Sequence, residues 1–279
     1  MLKKAYLEIT NVCNLNCSFC RGNAREKGFI SVESFRAAAE QLRRHTDYLY
    51  LHLMGEPLLH PQLEELLAVC ADLRFHTVIT TNGVLLPERS AVLLASPALY
   101  KVSVSLHSFE GNGGWDGEAL EAYLRGVCGF SEKAAANGVI VSLRLWNGGG
   151  EAGLNPAILR YLKGLFGEEP APHRTGLTLA KRIYLEYGEQ FDWPDPGAAE
   201  RNVRFCMGLR DHIGVLWNGT VVPCCLDADG NLALGNLFAQ DLEEILASPK
   251  AKAIYDGFSR GRAVGGLCRR CGYAERFSK

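Results

Sequence analysis

Apolar and polar residues alternate over about the first two thirds of the chain in a pattern typical of strands separated by helices. The predicted strands lie near residues 4–10, 47–54, 75–81, 99–107, 138–146 and 178–186. The helices between them are predicted near residues 31–45, 61–73, 86–95, 116–136 and 155–166. This alternation predicts a parallel sheet with right-handed crossovers. Six such units are too few to close an eight-stranded barrel, so the predicted fold is α/β, a partial (β/α)6 barrel.

The pattern changes after the sixth predicted strand. Residues 192–197, DWPDPG, are typical of a linker. Residues 215–222 predict a β-hairpin with an Asn-Gly turn, and a helix is predicted near residues 241–258. These features divide the chain into a barrel domain, residues 1–195, and a small C-terminal domain of hairpin and helix, residues 196–279.

Composition narrows the class of protein. The chain has 279 residues, 47% of them apolar, which is enough for a sizeable core. A net charge of −1 argues against a protein whose main role is to bind nucleic acid, although basic residues are dense after residue 249 and could meet a phosphate-bearing partner. We find no signal peptide and no apolar run of membrane-spanning length, so we expect a cytoplasmic protein with no membrane partner. Ten cysteines in a reducing compartment favour metal or cluster ligation over disulfides.

Three of these cysteines, Cys13, Cys17 and Cys20, follow the first predicted strand within eight residues. They therefore belong to a loop at the carboxyl rim of the barrel, where active sites of such folds lie. Thiolates select zinc or iron–sulfur clusters. Three thiolates can hold three corners of a [4Fe–4S] cube and leave one iron open, whereas a structural site is closed. The alternatives are zinc completed by a distant histidine and three buried thiols that bind nothing.

The spacing C-x-x-x-C-x-x-C, with Phe19 before the last cysteine, resembles the cluster motif of the radical S-adenosylmethionine (SAM) superfamily. The segment Met-Gly-Glu-Pro at residues 54–57 is similar to the Gly-Gly-Glu-Pro motif with which that family binds the SAM amino group. The resemblance spans about residues 4–190. It implies that SAM chelates the fourth iron and is cleaved to a 5′-deoxyadenosyl radical, which abstracts a hydrogen atom from a substrate. It also implies an electron donor such as flavodoxin or ferredoxin.

Polar side chains at the ends of the following strands extend this resemblance. Asn82 follows the third strand, and Ser105 ends the fourth, where relatives contact SAM. Arg144 lies between apolar residues of the fifth strand, so its guanidinium needs an anionic partner, either the SAM carboxylate or a structural salt bridge. The predicted cofactor-binding residues are Phe19, Gly55, Glu56, Pro57, Asn82, Ser105 and Arg144.

A second group of cysteines lies in the C-terminal domain. Cys206 and Cys224 flank the predicted hairpin, and Cys268 and Cys271 form a C-x-x-C pair. Four thiolates hold either zinc or a fully ligated [4Fe–4S] cluster, and spacing alone does not choose. The arrangement resembles the SPASM/twitch extension of radical SAM enzymes, with a cysteine layout similar to that of 2-deoxy-scyllo-inosamine dehydrogenase, which implies one auxiliary [4Fe–4S] cluster. Cys225 competes with Cys224, because adjacent strand residues face opposite sides.

The substrate is the least determined part of this interpretation. A small molecule, a nucleotide or RNA, and a peptide all remain open, and the absence of a predicted leader-binding module weakly disfavours a peptide. The resemblance implies a dehydrogenation or related oxidation in which the auxiliary cluster relays or accepts an electron. The candidates for proton transfer or substrate contact are His107, Arg182, Tyr184, Glu186, Arg210 and His212. The alternative of another class is a non-catalytic zinc-ribbon protein, which explains neither the open three-cysteine loop nor the Gly-Glu-Pro segment.

Overall fold

The computed structural model describes residues 1–113 and 116–277. Its strands are β1 (Lys4–Leu7), β2 (Tyr48–Tyr50), β3 (His76–Thr81), β4 (Leu99–Ser105), β5 (Ile140–Gly148), β6 (Ala171–His173), β7 (Gly176–Ala180), β8 (Ile183–Glu189), β9 (His212–Val215), β10 (Thr220–Val222) and β11 (Gly235–Asn236). Its α-helices are α1 (Val32–Arg43), α2 (Leu63–Asp72), α3 (Leu86–Ala95), α4 (His107–Glu110), α5 (Gly117–Ala136), α6 (Asn155–Phe166), α7 (Leu242–Ala247), α8 (Pro249–Ser259) and α9 (Gly272–Glu275).

The strands form one sheet in the order β11-β10-β9-β1-β2-β3-β4-β5-β8-β7-β6. Within it, β1, β2, β3, β4, β5 and β8 are adjacent and parallel. Helices α1, α2, α3, α5 and α6 connect these strands in turn. The predicted partial barrel of six parallel strands is therefore confirmed, and its carboxyl rim is formed by the loops that follow each strand.

Two elements differ from the prediction, and a third has a neighbour that was not predicted. The sixth predicted strand is two antiparallel strands, β7 and β8, because the chain turns at Arg182, whose φ is +65°. The predicted hairpin forms as β9 and β10, and β9 also pairs in parallel with β1. The predicted C-terminal helix is divided into α7 and α8 at Ser248, since Pro249 has no N–H with which to continue the first helix. The boundary after residue 195 stays a prediction; strands on both sides of it share one sheet.

Alternation along the strands separates the hydrophobic core from the interior of the barrel. In β1, Ala5 and Leu7 are fully buried and belong to the hydrophobic core that the helices cover. Lys4 and Tyr6, on the opposite face, line a cavity inside the barrel. Because each parallel strand is covered by helices on one side only, the other side is available for a site. No helix of the described residues is long and apolar enough to cross a membrane.

Candidate active site

The three-cysteine loop lies at the carboxyl rim, as predicted from its position after β1. The side chains of Cys13, Cys17 and Cys20 are near enough to influence one another's ionisation. Burial raises the pKa of Cys17 to about 11, and the side-chain N–H of Asn112 opposes this by donating to its Sγ at 3.2 Å. The backbone N–H of Gly22 donates to Cys20 Sγ at 3.4 Å. The loop thus presents three thiols, and hydrogen-bond donors are directed at Cys17 and Cys20, as a further donor is at Cys13.

Gly55 and Glu56 dock the second rim loop onto the cysteine loop. Gly55 has φ of +76°, and a Cβ there would lie 2.6 Å from the carbonyl oxygen of Thr10. The Glu56 carboxyl accepts the backbone N–H of Leu58 at 3.0 Å and that of Asn82 at 2.8 Å. Burial raises the pKa of Glu56 to about 7 against these two hydrogen bonds. Glu56 therefore joins two rim loops through backbone contacts.

Asn82 connects the third rim loop with the cysteine loop. Its side-chain N–H donates to Asn14 Oδ1 at 2.8 Å, and its carbonyl oxygen accepts the hydroxyl of Tyr123 at 2.7 Å. Its side chain also hydrogen-bonds Cys13. Asn82 is thus placed to hold the loop that follows β1 in position.

Ser105 and Arg144 lie side by side on β4 and β5. A guanidinium N–H of Arg144 donates to Ser105 Oγ at 2.9 Å, and the guanidinium stacks on the Trp146 ring at 4.6 Å. Burial lowers the pKa of Arg144 to about 10. Within the described residues Arg144 forms no ion pair, and its Nε is buried without a partner. The predicted alternative of a structural salt bridge is therefore not found there.

The four predicted ligands of the second cluster converge. Cys206, Cys224, Cys268 and Cys271 line one small pocket between the hairpin and the C-terminal segment, together with apolar side chains and Asp227. Cys225 is absent from this lining, and its thiol instead hydrogen-bonds Tyr6. Burial raises the pKa of Cys225 to about 11.

The donor chemistry of both cysteine groups suits iron–sulfur clusters. Four thiolates in an apolar pocket are a complete ligand set for a [4Fe–4S] cube, and three thiolates leave one iron for another ligand. In the described part of the chain no three His, Cys, Asp or Glu side chains are close enough to share one metal ion. A cube holds its thiolates further apart than a single zinc ion does, because each thiolate binds a different iron.

A cavity of about 760 Å³ lies inside the barrel. Phe19 of the cysteine loop lines it, as do Cys206, Cys224 and Cys271 of the second group. The segment after β8 covers it, with Trp193 Nε1 donating to the Phe19 carbonyl oxygen at 3.1 Å. A volume of this size is typical of sites for small ligands.

Comparison with known families decides the assignment. The sequence matches the radical SAM superfamily over residues 7–126 and the SPASM iron–sulfur cluster-binding domain over residues 206–272. The chain contains a radical SAM domain and a SPASM domain. The radical SAM domain binds a [4Fe–4S] cluster and SAM, and the SPASM domain binds auxiliary iron–sulfur clusters. The iron–sulfur interpretation of the C-terminal cysteines is thereby supported over the zinc ribbon.

Two of the curated relatives match part of the chain. Fe-coproporphyrin III synthase of Methanosarcina barkeri is 32% identical over 142 residues, which cover 49% of this chain and 35% of that protein. Probable GTP 3′,8-cyclase of Aeropyrum pernix is 35% identical over 118 residues, which cover 38% of this chain and 32% of that protein. The matched region is thus about a third of the length of each relative.

Two solved structures share the fold over nearly the whole chain. BtrN, in complex with AdoMet and 2-DOIA, has 17% identity and a TM-score of 0.57, covering 97% of this chain and 93% of that one. Streptococcus suis SuiB, bound to the precursor peptide SuiA, has 17% identity and a TM-score of 0.64, covering 99% and 70%. At these identities the likeness concerns the fold.

Three of the six predicted catalytic residues line the cavity. His107 lies against Phe19 with ring centroids 4.9 Å apart, and His212 lies 5.6 Å from Tyr6. Burial lowers the pKa of each imidazole to about 4, so both are neutral near pH 7. Glu186 is the third, and its carboxylate pairs with Lys101 at 3.3 Å.

The other three are not brought to the cavity. Arg182 lies in the turn before β8, at the amino end of the radical SAM barrel and away from its rim. Tyr184 packs on His173, with ring centroids 4.8 Å apart. Arg210 is exposed on the surface, where it stacks on Tyr255 at 5.2 Å. Arg182 and Arg210 lie in turns outside the strands, and Tyr184 lies near the amino end of β8, where the sequence pattern does not show the strand to begin.

Several residues that line the cavity were not predicted from the sequence. The inner faces of β1 and β2 contribute Lys4, Tyr6, Tyr50 and the adjoining His52. Burial lowers the pKa of His52 to about 3, and its Nδ1 has no partner. A signal existed in the alternation itself, since polar or aromatic residues occupy every second position of a strand whose other positions are apolar.

Proposed function

We propose that this chain reductively cleaves SAM and removes a hydrogen atom from a small molecule in the cavity. The overall reaction is a dehydrogenation or related oxidation in which one auxiliary [4Fe–4S] cluster relays or accepts an electron. The observation that carries this proposal is the shared cavity, which Phe19 lines from the first cysteine group and Cys206 and Cys224 line from the second. A substrate in this cavity has access to both sites.

The residues at the rim have separate tasks. When bound, the first cluster and SAM supply a 5′-deoxyadenosyl radical able to abstract hydrogen. Cys13, Cys17 and Cys20 hold that cluster, with the Asn112 N–H at 3.2 Å from one sulfur to orient and tune it. Arg144, which lacks a carboxylate partner, binds the SAM carboxylate beside Ser105.

Other contacts prepare the cavity for oxidation of the substrate. His107 and His212 are neutral imidazoles, so either is able to accept a proton from the substrate when an electron leaves it. We assign Cys206, Cys224, Cys268 and Cys271 as the ligands of the auxiliary cluster because they line one pocket. These four thiolates would leave no iron of that cluster open, a ligand set suited to electron transfer rather than to substrate coordination.

The surface favours a small molecule over RNA. The C-terminal segment is rich in basic residues, yet Arg269 and Arg270 both pair with Glu200, at 2.9 Å and 3.4 Å. Lys250 donates to the carbonyl oxygen of Ala233 at 2.6 Å. These cations are occupied by internal partners, which leaves less charge for phosphates. The last two residues of the segment lie outside the described part of the chain.

Iron analysis tests the two-cluster proposal. We expect about eight irons and eight sulfides per chain after anaerobic reconstitution, and about four of each when Cys13, Cys17 and Cys20 are replaced by alanine. Mössbauer spectra of the same samples identify the cluster that remains. Wild-type protein with dithionite should release 5′-deoxyadenosine from SAM, and the triple variant should release none. Cleavage of SAM by the triple variant, or zinc in place of iron, would contradict the proposal.

A further inference from the structure

The cavity wall carries more positive than negative charge. Its ionic side chains are Lys3, Lys4, Lys101, Arg144, Glu186 and Asp211. Two internal pairs account for both carboxylates, Lys3 with Asp211 at 2.7 Å and Lys101 with Glu186 at 3.3 Å. Lys4 and Arg144 remain without an ion pair among the described residues. Since Arg144 is assigned to the SAM carboxylate, Lys4 is the cation that the proposed function leaves unused.

The Lys4 ammonium is held in a setting suited to a flat anion. Its Nζ lies 5.2 Å from the Tyr6 ring centroid and 4.8 Å from that of Tyr50. Burial lowers the pKa of Lys4, so the charged form lacks solvation that an anion would restore. Both tyrosine rings line the cavity. Tyr6 is buried against Tyr50, His52 and His212, so Tyr50, which is half-buried, is the ring that a planar group can contact.

We propose that the cavity binds a small organic anion, with its carboxylate or phosphate on Lys4 and a planar portion against Tyr50. This inference rests on the proposed function, because it names the substrate class of the same site. Lys4 acts as a specificity-determining residue that does not take part in SAM cleavage. An uncharged analogue of such an anion leaves the ammonium unpaired and binds more weakly.

Binding of three small aromatic probes tests this inference. Benzoate, phenyl phosphate and the uncharged isostere benzamide are titrated by ligand-observed NMR into reconstituted holoenzyme with SAM. We expect at least one of the two anions to bind about tenfold more tightly than benzamide, and the comparison of benzoate with phenyl phosphate distinguishes carboxylate from phosphate. Lys4→Met should abolish the preference, and Lys4→Arg should restore it in part. Lys133→Met, which removes an exposed lysine at the end of α5, should leave it unchanged.

The outcomes separate this inference from the proposed function. Equal binding of all three probes by wild-type protein overturns the inference, whatever the variants do. Retention of the full preference by folded Lys4→Met overturns the assignment to Lys4. Release of 5′-deoxyadenosine with dithionite is measured on the same samples and should be similar in wild type and Lys133→Met. Absence of release from wild type would contradict the proposed function, while the anion preference is still read from the titration.

Discussion

Arg21 and Asp229 form an ion pair at 2.8 Å that joins the two cluster-binding segments. Arg21 directly follows Cys20, and Asp229 lies four residues after Cys225. The other carboxylate oxygen of Asp229 accepts the backbone N–H of Ala24 at 2.9 Å. One side chain of the C-terminal domain thus holds the end of the three-cysteine loop at two points, so the geometry of one site depends on the other.

Replacement of Asp229 by alanine should loosen the three-cysteine loop. The substitution removes a partly buried charge-assisted pair and the exposed carboxylate acceptor of a backbone N–H, and should cost about 1–3 kcal/mol of unfolding free energy. Urea denaturation measures this cost, and hydrogen exchange should rise between residues 13 and 25. Glu121→Ala is the control, because its pair with Arg125 is exposed and should contribute less than about 0.5 kcal/mol. Equal effects of the two substitutions would contradict the role given to Asp229.

The close contact at Gly55 gives a second prediction. Gly55→Ala places a Cβ 2.6 Å from the Thr10 carbonyl oxygen at a φ of +76°, so strain and steric conflict add. Gly138→Ala is the matched control, since its φ is +83° but no atom lies within 4 Å of the new Cβ. We expect about 1 kcal/mol of destabilisation at Gly138 and clearly more at Gly55, together with loss of iron only at Gly55. Similar urea midpoints and iron contents for both variants would show that the contact is unimportant.

Periodicity predicted most of the fold because each strand of the barrel is buried against helices on one side. The parallel order of six strands follows from the alternation of strands and helices. The pairing of β9 with β1 could not be predicted, since a hairpin pattern specifies its own two strands and not the neighbour at its edge. The division between β7 and β8 depends on Arg182 in the left-handed region, which no residue preference at that position indicates.

The sequence predicted those parts of the candidate site whose residues are close together along the chain. Three cysteines on one loop are close by covalent geometry, and the C-x-x-C pair is close for the same reason. The cavity residues Lys4, Tyr50 and His52 come from separate strands, so their proximity depends on register and on which face points inward. The spacing of residues along the chain specifies neither the register of the strands nor the face that points inward.

Neutral His107 gives a pH prediction with a definite sign. Burial lowers its pKa from 6.5 to about 4, so in acid the unfolded chain takes up a proton that the folded chain does not. The contribution of neutral His107 to the free energy of unfolding is complete above pH 6.5 and declines as the pH falls towards 4. Between pH 7 and 5.5 wild type should lose about 1 kcal/mol more unfolding free energy than His107→Gln, measured in urea. The raised pKa of Glu56, about 7, has the opposite effect on the pH dependence of the unfolding free energy. This effect cancels in the comparison because both proteins contain Glu56. Equal pH dependence in both proteins would mean that folding leaves the pKa of His107 unchanged.

Substitutions of the adjacent residues Cys224 and Cys225 should have different effects on the iron content of the protein. Cys224 lines the pocket shared by Cys206, Cys268 and Cys271, whereas Cys225 faces Tyr6 in the larger cavity. Cys224→Ser should therefore lower the iron content from about eight to about four per chain, and Cys225→Ser should leave it near eight. Release of 5′-deoxyadenosine with dithionite should survive both substitutions, because the three-cysteine loop is intact. Loss of iron from Cys225→Ser alone would exchange the two assignments and place the cluster against the cavity side of the hairpin.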